Sequence, residues 1–207
     1  SSVISCFSKK IYADKLKPYW DSTIFKNTKG FDLILNSYSE PQRYYHTLEH
    51  VLELCEKVKL VDDLKYKEAI FATIFFHDIV YDPRSRDNEE KSVEIWEHFA
   101  KTSNVLIHEN FIKKVSDYIL ATKTHTNANN DQDLDTFLDL DLSILGSDKN
   151  RFQRYEEEIR WEYSFVPEDI YNQERSKIMK KLSQYKFKNK NLKKIYSLNL
   201  AVNLNKY

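Results

Sequence analysis

The sequence predicts an all-α protein, and three observations carry that expectation. Glycine occurs only at Gly30 and Gly146, and proline at four positions in 207 residues, so few sites interrupt a helix. Lys, Glu, Leu, Ile and Tyr are abundant, the composition of helices joined by short polar connections. Apolar residues also recur at three- and four-residue spacing along most of the chain. This length supports one hydrophobic core and is too short for two, so residues 1–207 are read as a single helical bundle. Residues 1–40 are its lead-in, 43–187 its motif-bearing core and 188–207 a C-terminal helix.

Each element follows from local pattern. Between Ile11 and Asn36, Leu16, Tyr19 and Trp20 mark one helix and Phe31, Leu33, Ile34 and Leu35 a second, a leading pair whose linker Pro41 closes. Tyr44 to Leu60 sets Leu48, Val51, Leu52, Leu54, Cys55 and Val58 on one broad face, and this helix is expected to start near His46. Leu64 to Tyr81 is apolar nearly all round from Ala69 to Val80, the pattern of a central buried helix, and it stops before Pro83. Asp87 with Glu90 forms a candidate capping box for a helix running through Trp96 to about Ala100. Asn110 to Ala121 forms the next helix, and Thr122 to Gln132, rich in Asn, Thr and Asp, reads as a loop. Leu134 to Leu145 is helical and Gly146 ends it. Asp148 to Ser164 and Pro167 to Tyr185 are two more long helices, the second with proline in its first turn, and a last helix runs from Asn191 onward.

Composition excludes several functions. Thirty-two basic residues balance thirty-two acidic ones, so no overall field draws the chain to nucleic acid or to a membrane surface, and a small molecule is the expected partner. No apolar run reaches the roughly 18 to 20 residues of a spanning helix, and no leader pattern is present, so a cytoplasmic protein is expected. Cys6 and Cys55 match no paired metal or redox spacing. The eight lysines of Lys177 to Lys194 read as a solvated face, and the sequence specifies no oligomeric state. The acidic run Asp131, Asp133 and Asp135 lacks the glycine and distal glutamate of a calcium loop. A glycine-rich phosphate loop and a Gly-x-Ser-x-Gly turn are both missing, and neither cysteine has an arginine six positions on.

The histidines are where chemistry remains. His46 and His50, four apart at the start of a helix, would lie about 40° from each other and roughly 6 Å apart along the axis, so both can enter one site. His77 and Asp78 sit side by side at the end of the most apolar helix, where an unpaired carboxylate costs several kcal/mol. A divalent cation would neutralise it; the alternative is a salt bridge to Arg43 or a lysine. Two histidines and one carboxylate leave such an ion short of ligands, and Asp139 and Asp141, in Phe-Leu-Asp-Leu-Asp-Leu-Ser, can supply another. Two apart on a helix, they do not face the same ion.

A first His followed 27 residues later by His-Asp, then by a distant Asp on a later helix, resembles the metal-binding pattern of the HD superfamily. Within it, Arg43-Tyr44-Tyr45-His46-Thr47-Leu48-Glu49-His50 together with Phe76-His77-Asp78-Ile79-Val80-Tyr81 resembles a bacterial family of metal-dependent phosphohydrolases, and the resemblance extends from Arg43 to the Asn203-Leu204 region. The signature is also similar to cyclic-nucleotide phosphodiesterase catalytic domains. That resemblance implies His46 as the acid and His50, His77, Asp78 and Asp141 as metal ligands, with Asp139 supporting them from behind. Leu54 and Cys55, four and five positions after His50, fit the same register. Leu140-Asp141-Leu142-Ser143 is the element that favours Asp141.

The implied function is hydrolysis of a phosphoester, of a nucleotide or another small phosphorylated metabolite, by a metal-activated water. Arg43 and Lys123 are candidates for stabilising the phosphoryl oxygens. Glu89 resembles a family glutamate near the site. His125 is a candidate for a second metal or for the phosphate, with Asp78 placed to bridge two ions. Mn, Fe, Co, Ni, Zn and Mg all suit the mixed nitrogen and oxygen set. His98 and His108 have no partner at a useful spacing. Two alternatives stay open: a metal-loaded nucleotide sensor without turnover, and a di-iron oxygenase, for which His125 alone is available as an extra histidine.

Overall fold

A computed structural model describes the backbone of residues 2–207 and the side chains of residues 6–207. Among the described residues the chain is all-helical, with no strand. The helices are α1 (Ser2–Asp21), α2 (Gly30–Ser37), α3 (Leu48–Lys57), α4 (Lys67–Phe76), α5 (Asn88–Thr102), α6 (Glu109–Ala121), α7 (Gln132–Leu142), α8 (Lys149–Glu162), α9 (Glu168–Leu182) and α10 (Lys190–Leu204). Short 3-10 turns extend α3 over Val58–Leu60 and α7 over Ser143–Gly146. No described helix is long and apolar enough to cross a membrane.

The core is built around α4, whose residues from Ala69 to Phe76 are all buried. A helix apolar on every side must be enclosed, and α4 packs against α3, α5 and α6. Helix α3 also meets α1 and α7, which brings the starts and ends of three ligand-bearing elements to one region. On the opposite side Trp20 of α1 contacts Phe25, Phe31, Phe75, Phe76 and Phe99, with ring centroids 5.0 to 6.4 Å away. Gly146 has a packing reason: a Cβ there would lie 2.3 Å from the Tyr196 carbonyl oxygen, because α10 packs its backbone directly on the turn after α7.

Several boundaries differ from expectation. Helix α3 starts at Leu48, after an extended Thr47, so His46 lies outside it. The amides of Tyr44, Tyr45 and His46 all donate to the Glu162 carboxylate, which holds this stretch out of the helix. Helix α4 ends at Phe76, and His77 and Asp78 occupy the turn beyond it. There Arg43 takes the carbonyls of Asp78 and Ile79. The Asp87 and Glu90 capping box does not form: Asp87 bonds Ser85 and pairs with Lys91, while Glu90 pairs with Lys123. Pro167 stands at the N-cap of α9, one residue ahead of the first turn.

Candidate metal centre

His50 from the first turn of α3, His77 and Asp78 from the turn after α4, and Asp141 from the end of α7 converge. Each offers one donor atom, and these atoms all lie within 4.8 Å of one another. His77 Nε2 stands 3.1 Å from His50 Nε2 and 2.9 Å from Asp78 Oδ2. His50 Nε2 is 3.3 Å from Asp78 Oδ2, and both imidazoles are 3.4 Å from Asp141 Oδ1. Ligand bonds of about 2.0–2.2 Å place neighbouring donors of a four- to six-coordinate ion roughly 3–3.5 Å apart. The donor set therefore fits a divalent cation in both chemistry and spacing, and this group can hold a metal.

The surroundings fix the donors. His77 Nδ1 donates to the Ile74 carbonyl at 2.9 Å, so whenever the ring is neutral its lone pair lies on Nε2, toward the cluster. Burial disfavours charge on all four groups, yet their mutual interactions prevail. The imidazolium of His77 and the hydrogen bonds of His50 and His77 hold the Asp78 carboxyl well below the usual range. Hydrogen bonds from His125, His50 and His77 do the same for Asp141. The carboxylates raise His50, through bonds to Asp141 and Asp78, and raise His77 well above its ordinary value, chiefly through Asp78. Such a cluster draws positive charge to its centre, and a bound cation supplies it in place of protons.

Of the neighbouring aspartates, only Asp141 faces the cluster. Asp139, about 200° around α7, is fully buried on the other side. It accepts the Tyr185 hydroxyl at 2.5 Å and the amides of Lys188 and Asn189 at 2.9 and 2.6 Å. It anchors the connection between α9 and α10 and does not support the metal ligands. His125 reaches the outer oxygen of Asp141, Nε2 to Oδ2, at 2.9 Å. Its backbone is in the left-handed region, at φ 53°, a conformation that costs a non-glycine residue on the order of 1–2 kcal/mol. The bond to Asp141 helps offset that cost.

A cavity of about 360 Å³ opens over the cluster. His46 lines it despite lying outside α3, with its ring centroid 5.9 Å from that of His50. Tyr45, Tyr81, Tyr155 and Tyr163 form its aromatic wall, and Arg86, Glu89 and Lys123 also line it. Lys123 binds the Glu90 carboxylate at 2.5 Å and the Arg86 carbonyl at 2.9 Å, so its charge is already matched. Arg43 does not line the cavity. Its buried guanidinium donates to the carbonyls of His46, Asp78 and Ile79 and to Glu40, so it clamps the ligand-bearing segments together and is not available to phosphoryl oxygens. Nor does it pair with the Asp78 carboxylate. His98 and His108 are exposed, and His108 caps α6.

Glu162 was not visible as a site residue in the sequence. It sits in the charge-rich stretch Arg160-Trp161-Glu162-Tyr163 and resembles any solvated acid. The one signal is its place on the buried stripe of α8, after Phe152, Tyr155 and Ile159. Its carboxylate accepts three consecutive backbone amides, His46 Nδ1 at 2.8 Å and the Tyr81 hydroxyl at 2.9 Å. Burial pushes its carboxyl up, but His46 and these amides prevail and hold it at about 2. No family model, curated protein or solved structure matches this chain.

Proposed function

We propose that this protein is a metal-dependent phosphohydrolase of the HD type, acting on a nucleotide or another small phosphorylated metabolite. The observation that carries the reading is the convergence of His50, His77, Asp78 and Asp141 under a cavity that His46 also lines. A volume of about 360 Å³ suits a small molecule. A divalent ion in this donor set would supply Lewis-acid chemistry, polarising a phosphoryl oxygen and acidifying a water. Mn, Fe, Co, Ni, Zn and Mg are all compatible with two imidazoles and two carboxylates.

The chain's own residues do the rest. His46 protonates the leaving oxygen, a contribution of roughly 10²–10⁴ in rate. Arg86 takes over the anion-binding role that the sequence suggested for Arg43. His125 holds the outer oxygen of Asp141 and so turns Oδ1 toward His50 and His77. Its 2.9 Å spacing from Asp141 also suits two ligands of one ion, so metal stoichiometry decides between an orienting His125 and a second ion.

The test is phosphate release from nucleotides, sugar phosphates and p-nitrophenyl phosphates, with metal-depleted protein reconstituted in turn with Mn, Fe, Co, Ni, Zn or Mg. Turnover that requires metal and falls on the order of 100-fold or more in His46→Ala is expected. Metal-loaded protein that binds nucleotides and hydrolyses none of these esters would overturn the reading in favour of a sensor.

A further inference from the structure

We infer that Glu162, assisted by Tyr81, positions His46 by fixing the neutral ring's proton on Nδ1 and leaving Nε2 for the cavity. The tautomer is a property of the folded chain; its consequence for turnover rests on the phosphohydrolase reading above.

Both oxygens of Glu162 are engaged, and in different tasks. Oε2 accepts the amides of Tyr44, Tyr45 and His46 at 3.0, 2.9 and 3.0 Å, which sets the path of the backbone that carries His46. Oε1 receives His46 Nδ1 at 2.8 Å and the Tyr81 hydroxyl at 2.9 Å. An ionised carboxylate has no proton to give, so Nδ1 must be the donor in that contact. The neutral imidazole then carries its lone pair on Nε2, at the other edge of the ring.

Tyr81 restrains the ring as well as the carboxylate. Its ring stacks on His46 with centroids 4.1 Å apart and planes at 25°, while Tyr45 packs edge-on against the same imidazole, with centroids 5.1 Å apart and planes at 84°. A flipped imidazole would lose its bond to Glu162 within this aromatic slot. Three amides alone do not call for a charged side chain, and burying a carboxylate is costly unless its remaining lone pairs are satisfied. His46 and Tyr81 satisfy them, which ties the loop's shape to the ring's orientation.

In the reaction, the bond from phosphorus to the leaving oxygen breaks and its electron pair stays on that oxygen. The oxygen takes the proton from Nε2 of doubly protonated His46, and the ring is left neutral with Nδ1–H still bonded to Glu162. Water oxygen forms the new bond to phosphorus and gives up a proton to solvent, and Nε2 of His46 takes up a proton from solvent to regenerate the acid. Glu162 touches no reacting atom and is a positioning residue.

The test is ¹⁵N–¹H correlation of the imidazoles in the Zn-loaded protein, with His46 assigned by loss of its signals in His46→Ala. The neutral His46 ring is expected as the Nδ1–H tautomer in the wild type. In Glu162→Gln the carboxamide oxygen can still accept the amides, but its NH₂ faces the ring, so the proton is expected to move to Nε2. The same variant should lose about 100-fold or more in kcat on an alkyl phosphoester. It should lose far less on p-nitrophenyl phosphate, whose leaving group needs little protonation, and KM should hold for both. A purely structural role would depress both substrates alike. An Nε2–H tautomer in the wild type overturns the inference without any variant, so a misfolded Glu162→Gln does not remove the test. If no phosphoester is turned over, the phosphohydrolase reading fails and the spectrum still decides the tautomer.

Discussion

Arg43 joins two stretches of chain on which the site depends, residues 40–46 and the turn after α4. Its guanidinium reaches the carbonyls of His46 at 3.0 Å, Asp78 at 2.7 Å and Ile79 at 2.8 Å, and the Glu40 carboxylate at 3.0 Å. A lysine has neither the planar fork nor the number of donors to replace these contacts. Arg43→Lys is therefore expected to lose about 2–4 kcal/mol in urea unfolding, as buried carbonyls go unpaired. A loss below about 1 kcal/mol would contradict this clamping role. Glu162 makes a second claim at this scale. Its carboxyl is held at about 2 in the folded chain, against roughly 4.3 when unfolded. A depressed folded value stabilises the native state above the unfolded value, and the contribution fades as pH falls from about 4.3 toward 2. The stability gap between wild type and Glu162→Gln should be widest near neutrality and shrink across that window. A gap that is constant from pH 6 to pH 2.5 would show that Glu162 is not held as an ionised partner.

Among the elements, α7 separates two aspartates that share one apolar phrase. Asp141→Asn should release metal, whereas Asp139→Asn should keep it and loosen the α9–α10 connection that Asp139 anchors, measurable as faster amide exchange at Lys188 and Asn189. Metal loss in both variants would contradict this division. Helical periodicity alone predicts opposite faces for this pair, but the face that meets His50, His77 and Asp78 is set by how α7 packs on α3 and α6. The resemblance supplied that choice. The apolar run of α4 and the loop after α6 were equally legible, because each is written in contiguous residues. The start of α3 was not. Glu162, more than a hundred residues away, binds the amides ahead of Thr47 and keeps His46 out of the helix. Arg43 was misassigned for a related reason: an arginine beside a histidine motif suggests an anion contact, while its actual partners are carbonyls brought in by the turn after α4.

At the scale of the molecule, the helices place four donors from three elements within one small volume, and no single helix could do so. A ligand that binds only the folded arrangement stabilises it through mass action, so a cation bound by these four donors would add to the stability of the bundle. The most direct measurement is the metal content of the purified protein, by mass spectrometry, beside His77→Ala, Asp141→Ala and the exposed control His98→Ala. Bound metal in the wild type and in His98→Ala, with none in the other two, is the predicted result. Equal metal content in all four proteins would contradict the account and leave His50, His77, Asp78 and Asp141 as a buried ion-pair cluster.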